Sequence, residues 1–222
     1  MPYDGHYNTI TMDIKLISTL LAVQCVALVS PGPDLVLTLR NTVSSGMKSG
    51  ILSSLGFGTG IFFHAFLALI IIQGAGQFSQ EFIPFLGLPG SLYLIYLGIK
   101  SWPANETKFV VDLKSSTAKA PYFEGLLTNL LNPKASLFTI GLITTQVKPD
   151  TSISTLATLI AGMVLLTILW FSLVSLTLSR KKLQEYYFRQ SRKINYLFSI
   201  VFILFGVLLI KDVLDLLLSN LS

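Results

Sequence analysis

The sequence predicts an all-α, polytopic integral membrane protein with six transmembrane helices arranged as two inverted three-helix repeats. Three observations carry that expectation. The 222 residues are 52% hydrophobic and only 12% charged, where an ordinary globular chain is about one quarter charged, and mean hydropathy is +0.68. Six long stretches are free or nearly free of charge. The first and the fourth of these each carry a helix breaker beside an ionisable residue. Such a composition argues against a cytosolic enzyme, a disordered chain and a disulfide scaffold. At about 20 residues per span, the chain has room for little beyond its spans, so residues 1–222 are read as a single membrane domain.

The apolar stretches are 16–33, 49–80, 82–99, 125–147 (interrupted only by Lys134), 151–179 and 194–210. Each is about as long as a bilayer span or longer. The second is too long for one untilted helix, so its helix is placed at 51–73 and residues 74–80 are given to a turn. A cleaved leader is a poor reading of the first stretch, because Asp13 and Lys15 do not make a basic leader and the apolar core is too long.

The segments after the first, third and fifth spans carry Arg40 and Lys48, then Lys100, Lys108, Lys114 and Lys119, then Arg180, Lys181, Lys182, Arg189, Arg192 and Lys193. The opposite face receives Lys15, Lys148 and Lys211. Twelve basic residues against three orient the chain with loops one, three and five in the cytoplasm and both termini outside. The net charge of +5 is therefore topological, and nucleic acid is not an expected partner. Orientation also accounts for the basic cluster 180–193, with anionic membrane lipid as its alternative ligand. The repeats are placed at 14–100 and 125–210, joined by a cytoplasmic linker at 101–124. An odd number of spans per half makes the second half enter from the opposite side, the plan of many secondary transporters.

Leu28-Val29-Ser30-Pro31-Gly32-Pro33-Asp34 in the first span and Leu130-Leu131-Asn132-Pro133-Lys134 in the fourth occupy corresponding places. Proline removes a backbone donor and clashes with the preceding turn, which frees carbonyls from helical pairing. At that depth such groups need protein or water to meet them, so the breaks are expected to line a cavity. Ser30 or Gly32, and Asn132, are favourable N-cap types, and Pro33 and Pro133 suit the first position of a restarting helix. Each half thus presents a helix N-terminus near mid-membrane, where an anionic group binds.

Asp34 and Lys134 each cost roughly 2.5–3.5 kcal/mol at a bilayer centre. One reading makes them a transport site: Lys134 with the helix after Pro133 takes a substrate carboxylate, Asp34 with the carbonyls around Pro31 takes an ammonium, and Asp34 carries a proton. The other makes them a mutual ion pair that locks the halves together, and the two are compatible. Asn129, three residues before Asn132, shares its face. His64 is read either as a proton relay or as a histidine bonded to a neighbouring helix. Gly56, Gly58 and Gly60 let helices approach closely, within the protomer or across a homodimer. Tyr93, Tyr96 and Trp170 are assigned to packing, with gating over a substrate as the alternative. Cys25 is alone, so no intrachain disulfide or cysteine-based metal site is expected; it is read as a small core residue.

With these motifs in hand, the chain resembles the LysE/RhtB family of bacterial amino-acid exporters over nearly its full length. Pro31-Gly32-Pro33-Asp34, then Gly46-Met47-Lys48-Ser49-Gly50, Gly56 and Gly60 are similar to its N-terminal signature. Gly90, Tyr93-Leu94, Tyr96-Leu97-Gly98 and Lys100 are similar to its third-span pattern; Gly125, Asn129 and Asn132-Pro133-Lys134 are similar to its fourth-span signature. The resemblance implies a six-helix inner-membrane exporter of small amino acids driven by the proton gradient, with no cofactor. The residues alone reach only a small secondary transporter. An exporter of a heavy-metal or other inorganic cation on the same architecture is the alternative, although one Cys and one intramembrane His are a thin supply of soft ligands. No nucleophile, base and orienting group stand at recognisable spacing, so no catalytic residue is assigned.

Overall fold

A computed structural model describes residues 12–30, 32–75, 83–102, 120–177 and 180–219. They form an all-α protein of eight helices: α1 (Ile14–Val29), α2 (Pro33–Ser45), α3 (Met47–Ala75), α4 (Ile83–Ser101), α5 (Pro121–Leu131), α6 (Pro133–Gln146), α7 (Ile153–Thr177) and α8 (Lys181–Ser219). The order is a broken helix pair followed by two long helices, repeated once. Most of the 101–124 linker lies outside the described residues, as does Pro31.

Both breaks form where the proline chemistry places them. α1 is capped by Asp13, whose side chain accepts from the Leu16 N–H at 2.9 Å, and ends at Ser30, which is extended at φ −67°, ψ 133°. α2 restarts behind an extended Gly32 with Pro33 in its first turn, and the two helices meet at 58°. Asn132 ends α5 and begins α6 in one residue, again with proline in the first turn.

Three expectations about boundaries are revised. The first apolar stretch was expected to end at Pro33, but the chain stays helical to Ser45 and buries Asp34, Leu35, Leu37, Thr38, Leu39, Asn41 and Thr42; counting charge-free residues stops at Asp34 because it ignores that a helix can bury a polar face. α5 starts at Pro121, inside the stretch read as linker. Residues 181–193, expected as a loop, belong to the 39-residue α8. No Gly or Pro occurs from Lys181 to Phe205, and Lys, Arg, Gln and Glu are good helix formers, so nothing ends the helix there.

Among the described residues, two helices, Met47–Ile72 within α3 and Ile153–Thr177, are long and apolar enough to cross a membrane, and the bent α1–α2 pair makes a third. Their outward faces suit hydrocarbon: Phe62, Phe63, Phe66 and Ile70 on α3 and Leu165, Leu169 and Leu173 on α7 are exposed. Cys25 is also exposed, correcting its assignment to the core; an apolar residue in a uniformly apolar span carries no mark of which face is inward.

α3 is the hub, packing on α2, α5, α6 and α7, while α4 packs on α8 and α6. Close approach depends on glycine. A Cβ at Gly56 would overlap the Tyr122 carbonyl and the Leu126 amide of α5, and one at Gly125 would overlap the Ser53 backbone of α3. Gly58 faces Ile168 of α7 and Gly60 faces Asn129. Gly56, Gly58 and Gly60 are thus used inside the protomer. Between α4 and α8 the contact is reciprocal: Gly98 meets the Ser199 carbonyl and Ile203, and Gly206 meets the Ser91 carbonyl and Ile95. Ser91-Ile95-Gly98 and Ser199-Ile203-Gly206 share one spacing, and the pairing is antiparallel.

Candidate functional site

The two breaks face each other through polar side chains that the restarting helices hold in place. Asp34 stands in the first turn of α2 and is 7% exposed. Its Oδ2 accepts from Asn129 Nδ2 at 2.8 Å and its Oδ1 from Asn132 Nδ2 at 3.1 Å. Its own carbonyl accepts from the Thr38 hydroxyl at 2.7 Å, an ordinary i+4 back-bond. A buried carboxylate is tolerated when hydrogen bonds replace its water, and here both donors come from the other half of the chain.

Asn132 does two things at once. Its Oδ1 accepts from the Lys134 N–H at 3.0 Å, capping α6, which turns its amide NH2 toward Asp34. The capping bond therefore fixes which end of the amide meets the carboxylate. Lys134 reaches the other way: Nζ donates to the Ser30 carbonyl at 2.9 Å. That carbonyl belongs to the last residue before the α1–α2 break, so a lysine of the second half meets a backbone group at the break of the first. Gly32 lies beside the Lys134 side chain, and a Cβ there would stand 3.5 Å from Cδ and Nζ.

A cavity of about 40 Å³ opens between the breaks, with Ser30, Gly32, Asp34, Asn129, Asn132 and Lys134 among its polar lining. It extends along α1 and α6 to Gln24 and Thr139, past apolar walls that include Ala27, Leu28, Ile61, Phe138 and Phe171. That volume holds on the order of three waters. Among the described residues, three oxygens of this lining have no hydrogen-bond partner: Gln24 Oε1, Asn129 Oδ1 and Thr139 Oγ1.

Of the residues singled out in the sequence, Gly32, Asp34, Asn129, Asn132 and Lys134 are brought together here. Pro33 and Pro133 start the two helices but are exposed and do not line the cavity; Pro31 is outside the described residues. His64 is buried, and its Nε2 lies 3.2 Å from the Asn129 carbonyl, which puts it one residue removed from Asp34. Tyr93 and Tyr96 touch each other, with ring centroids 5.8 Å apart, away from the cavity lining. Trp170 packs beside the cluster of Leu35, Leu37, Leu39, Phe57, Phe171 and Val174.

The sequence reading did not single out Gln24, Thr139 or the pair formed by Asn41 and Glu124. Gln24 is the one amide in the 16–33 stretch, and a lone polar residue in an apolar span was the available signal. Asn41 Nδ2 donates to Glu124 Oε2 at 3.0 Å, and it also lies 2.9 Å from Ser53 Oγ as donor. This links α2 to α5 at the ends of those helices away from Gln24. Among the described residues, no group of three or more His, Cys, Asp or Glu is placed to hold a metal ion.

Comparison with known proteins adds a family. The model of the LysE type translocator family matches residues 25–212. The chain is 27% identical to the threonine efflux protein of Salmonella typhi over 204 residues, covering 89% of this chain and 98% of that protein. It is 29% identical to the homoserine/homoserine lactone efflux protein of Salmonella typhimurium over 141 residues, 61% of this chain and 63% of that protein. An uncharacterised membrane protein of Bacillus subtilis, YrhP, is 27% identical over 162 residues, 68% and 77% of the two chains. No solved structure matches the chain.

Proposed function

Because the chain belongs to the LysE type translocator family, a family of membrane transporters and not of enzymes, we propose that it exports small amino acids of the threonine and homoserine type across the bacterial inner membrane by proton antiport. The observation that carries this reading is the meeting of Asp34, Asn132 and Lys134 across two broken helices beside a cavity.

The proposed architecture is six spans in two inverted repeats: α1–α2, α3 and α4 over 14–101, and α5–α6, α7 and α8 over 121–219. Supporting it are the repeated element order and the pairing of each long helix with its counterpart, α3 with α7 and α4 with α8. The reciprocal antiparallel Gly98 and Gly206 contacts fit a two-fold axis in the membrane plane. With loops one, three and five in the cytoplasm and both termini outside, α2 and α5 are the inward half-helices and α1 and α6 the outward ones.

In this scheme the substrate ammonium lies against Asp34, whose carboxylate has acceptor sites left after the two Asn bonds. The substrate carboxylate draws Lys134 from the Ser30 carbonyl and takes that ammonium together with the first turn of α6. Rocking of the half-helices about the break opens the site to one side at a time. Asp34 accepts a proton from outside when the substrate has left and yields it inside before the next binds, while His64, at the Asn129 carbonyl, steadies the residue whose amide donates to Asp34. The inorganic-cation alternative lacks support here, since the described residues offer no cluster of metal ligands and Cys25 is on the outer surface of α1.

The reading is tested in cells. Expression should confer tolerance to a toxic threonine analogue or to dipeptide overload, and leave zinc, cadmium and cobalt tolerance unchanged; metal tolerance without amino-acid tolerance would reverse the assignment.

A further inference from the structure

The outward end of the cavity is apolar except for Gln24 and Thr139, and both carry oxygens without partners. Gln24 is 1% exposed and Thr139 fully buried, so open solvent does not supply what they lack. The orientation of Gln24 follows from its neighbour. Thr167 donates its hydroxyl proton to the Met163 carbonyl at 2.8 Å, which leaves its oxygen to accept. Only the NH2 end of Gln24 satisfies that oxygen, and Nε2 lies 3.2 Å away. Oε1 is therefore the atom left over, and it needs a donor.

Thr139 departs from its peers in the same way. Thr38, Thr144, Thr145, Thr167 and Thr177 all close their hydroxyls on a carbonyl of their own helix, the usual way to satisfy a buried threonine in a span. Thr139 Oγ1 makes no such bond; among the described threonines Thr42 shares that lack, but of the two only Thr139 lines the cavity. Both residues sit six positions from their break, Gln24 before Ser30 and Thr139 after Pro133, about 9 Å along each helix. They mark the far end of the cavity whose near end holds Asp34 and Lys134.

We propose that Gln24 and Thr139 form the side-chain subsite of the transport cavity and select amino acids whose short side chain carries a neutral hydroxyl. This rests on the export reading above and assigns its specificity. A ligand hydroxyl donates to Gln24 Oε1 and accepts from the Thr139 hydroxyl, so one group satisfies both atoms. An aliphatic side chain that displaces water from this end leaves both unpaired. A carboxylate has no proton for Oε1, and an ammonium finds no acidic residue at this end of the lining.

The test is competitive uptake into inverted vesicles of two isosteric pairs, threonine with valine and homoserine with norvaline, by the parent and by Gln24→Leu, Thr139→Val and Thr139→Ser. The quantity read is the hydroxyl-to-aliphatic ratio, which is independent of how much protein is inserted. The parent should prefer the hydroxyl partner by roughly tenfold or more, and Gln24→Leu or Thr139→Val should each bring the ratio close to one, as loss of a buried hydrogen bond does. Thr139→Ser should keep the preference. If one variant fails to insert, the other reads the same subsite. A parental ratio near one, or a preference that survives both Gln24→Leu and Thr139→Val, overturns the subsite and leaves these oxygens to bound water, while export itself stands. A parent that moves none of the four amino acids overturns the export reading and the subsite with it.

Discussion

Asn132 donates from its amide to Asp34 Oδ1 at 3.1 Å while its own oxygen caps α6 through the Lys134 N–H. One side chain thus ties the restart of the second broken helix to the carboxylate beside the first. Any motion that separates the breaks must strain or release that bond, which couples the helix geometry to the state of Asp34.

Replacing Asn132 tests that coupling. Asn132→Ala removes the cap, worth about 1 kcal/mol, and leaves a buried carboxylate oxygen short of a donor, about 1–3 kcal/mol more. Unfolding of the purified protein in detergent should show a loss of that combined size. Asn132→Asp restores the cap acceptor but sets a second carboxylate against Asp34, so it should recover part of the stability and export no better than Asn132→Ala.

Lys134→Met should lower export by roughly tenfold or more, because the Ser30 carbonyl loses a charged donor and the site loses its cation. Lys134→Arg keeps the charge but changes its shape and should fall between the two. Initial rates of export, normalised to inserted protein, are the readout; a parental rate in Lys134→Met would remove Lys134 from the site.

The α3–α5 contact predicts a steric series. Gly56→Ala and Gly125→Ala place a methyl group against backbone rather than a yielding side chain, so each should destabilise by about 1–3 kcal/mol or more. Gly74→Ala meets nothing within 4 Å and should stay within about 0.5 kcal/mol of the parent. Thermal unfolding of the three variants in one detergent distinguishes backbone contact from a general intolerance of α3 to substitution.

Asn41 and Glu124 join α2 to α5. A double-mutant cycle of Asn41→Ala and Glu124→Ala should give a coupling of about 1.5–3 kcal/mol in unfolding, the range for a hydrogen bond to a charged group. A coupling near zero would mean that α2 and α5 are held by their apolar contacts alone.

The helix breaks were legible because proline acts on the backbone regardless of its surroundings: Pro33 and Pro133 start helices where their chemistry demands. The faces were not. Apart from Gln24, α1 is apolar nearly all round, and nothing in its composition says that Cys25 turns out. The length of α2 was hidden for the opposite reason, since Thr38, Asn41 and Thr42 look like loop residues until partners on other helices bury them. The basic stretch before Ile194 was read through its charge, which reports orientation but does not break a helix. The cluster of Asp34, Asn129, Asn132 and Lys134 was found because ionisable and capping residues beside a break are rare inside a span. Gln24 is marked in the sequence by its polarity, but that its Oε1 and the Thr139 hydroxyl lack partners is visible only in three dimensions.

The central claim is that Asp34 couples amino-acid movement to protons across the two breaks. Its most direct test is threonine uptake into energised inverted vesicles, with and without an uncoupler, by the parent and by Asp34→Asn at matched insertion. The parent should accumulate threonine only while the gradient stands, and Asp34→Asn should lose that accumulation. Gradient-driven accumulation by Asp34→Asn at the parental rate would contradict the account.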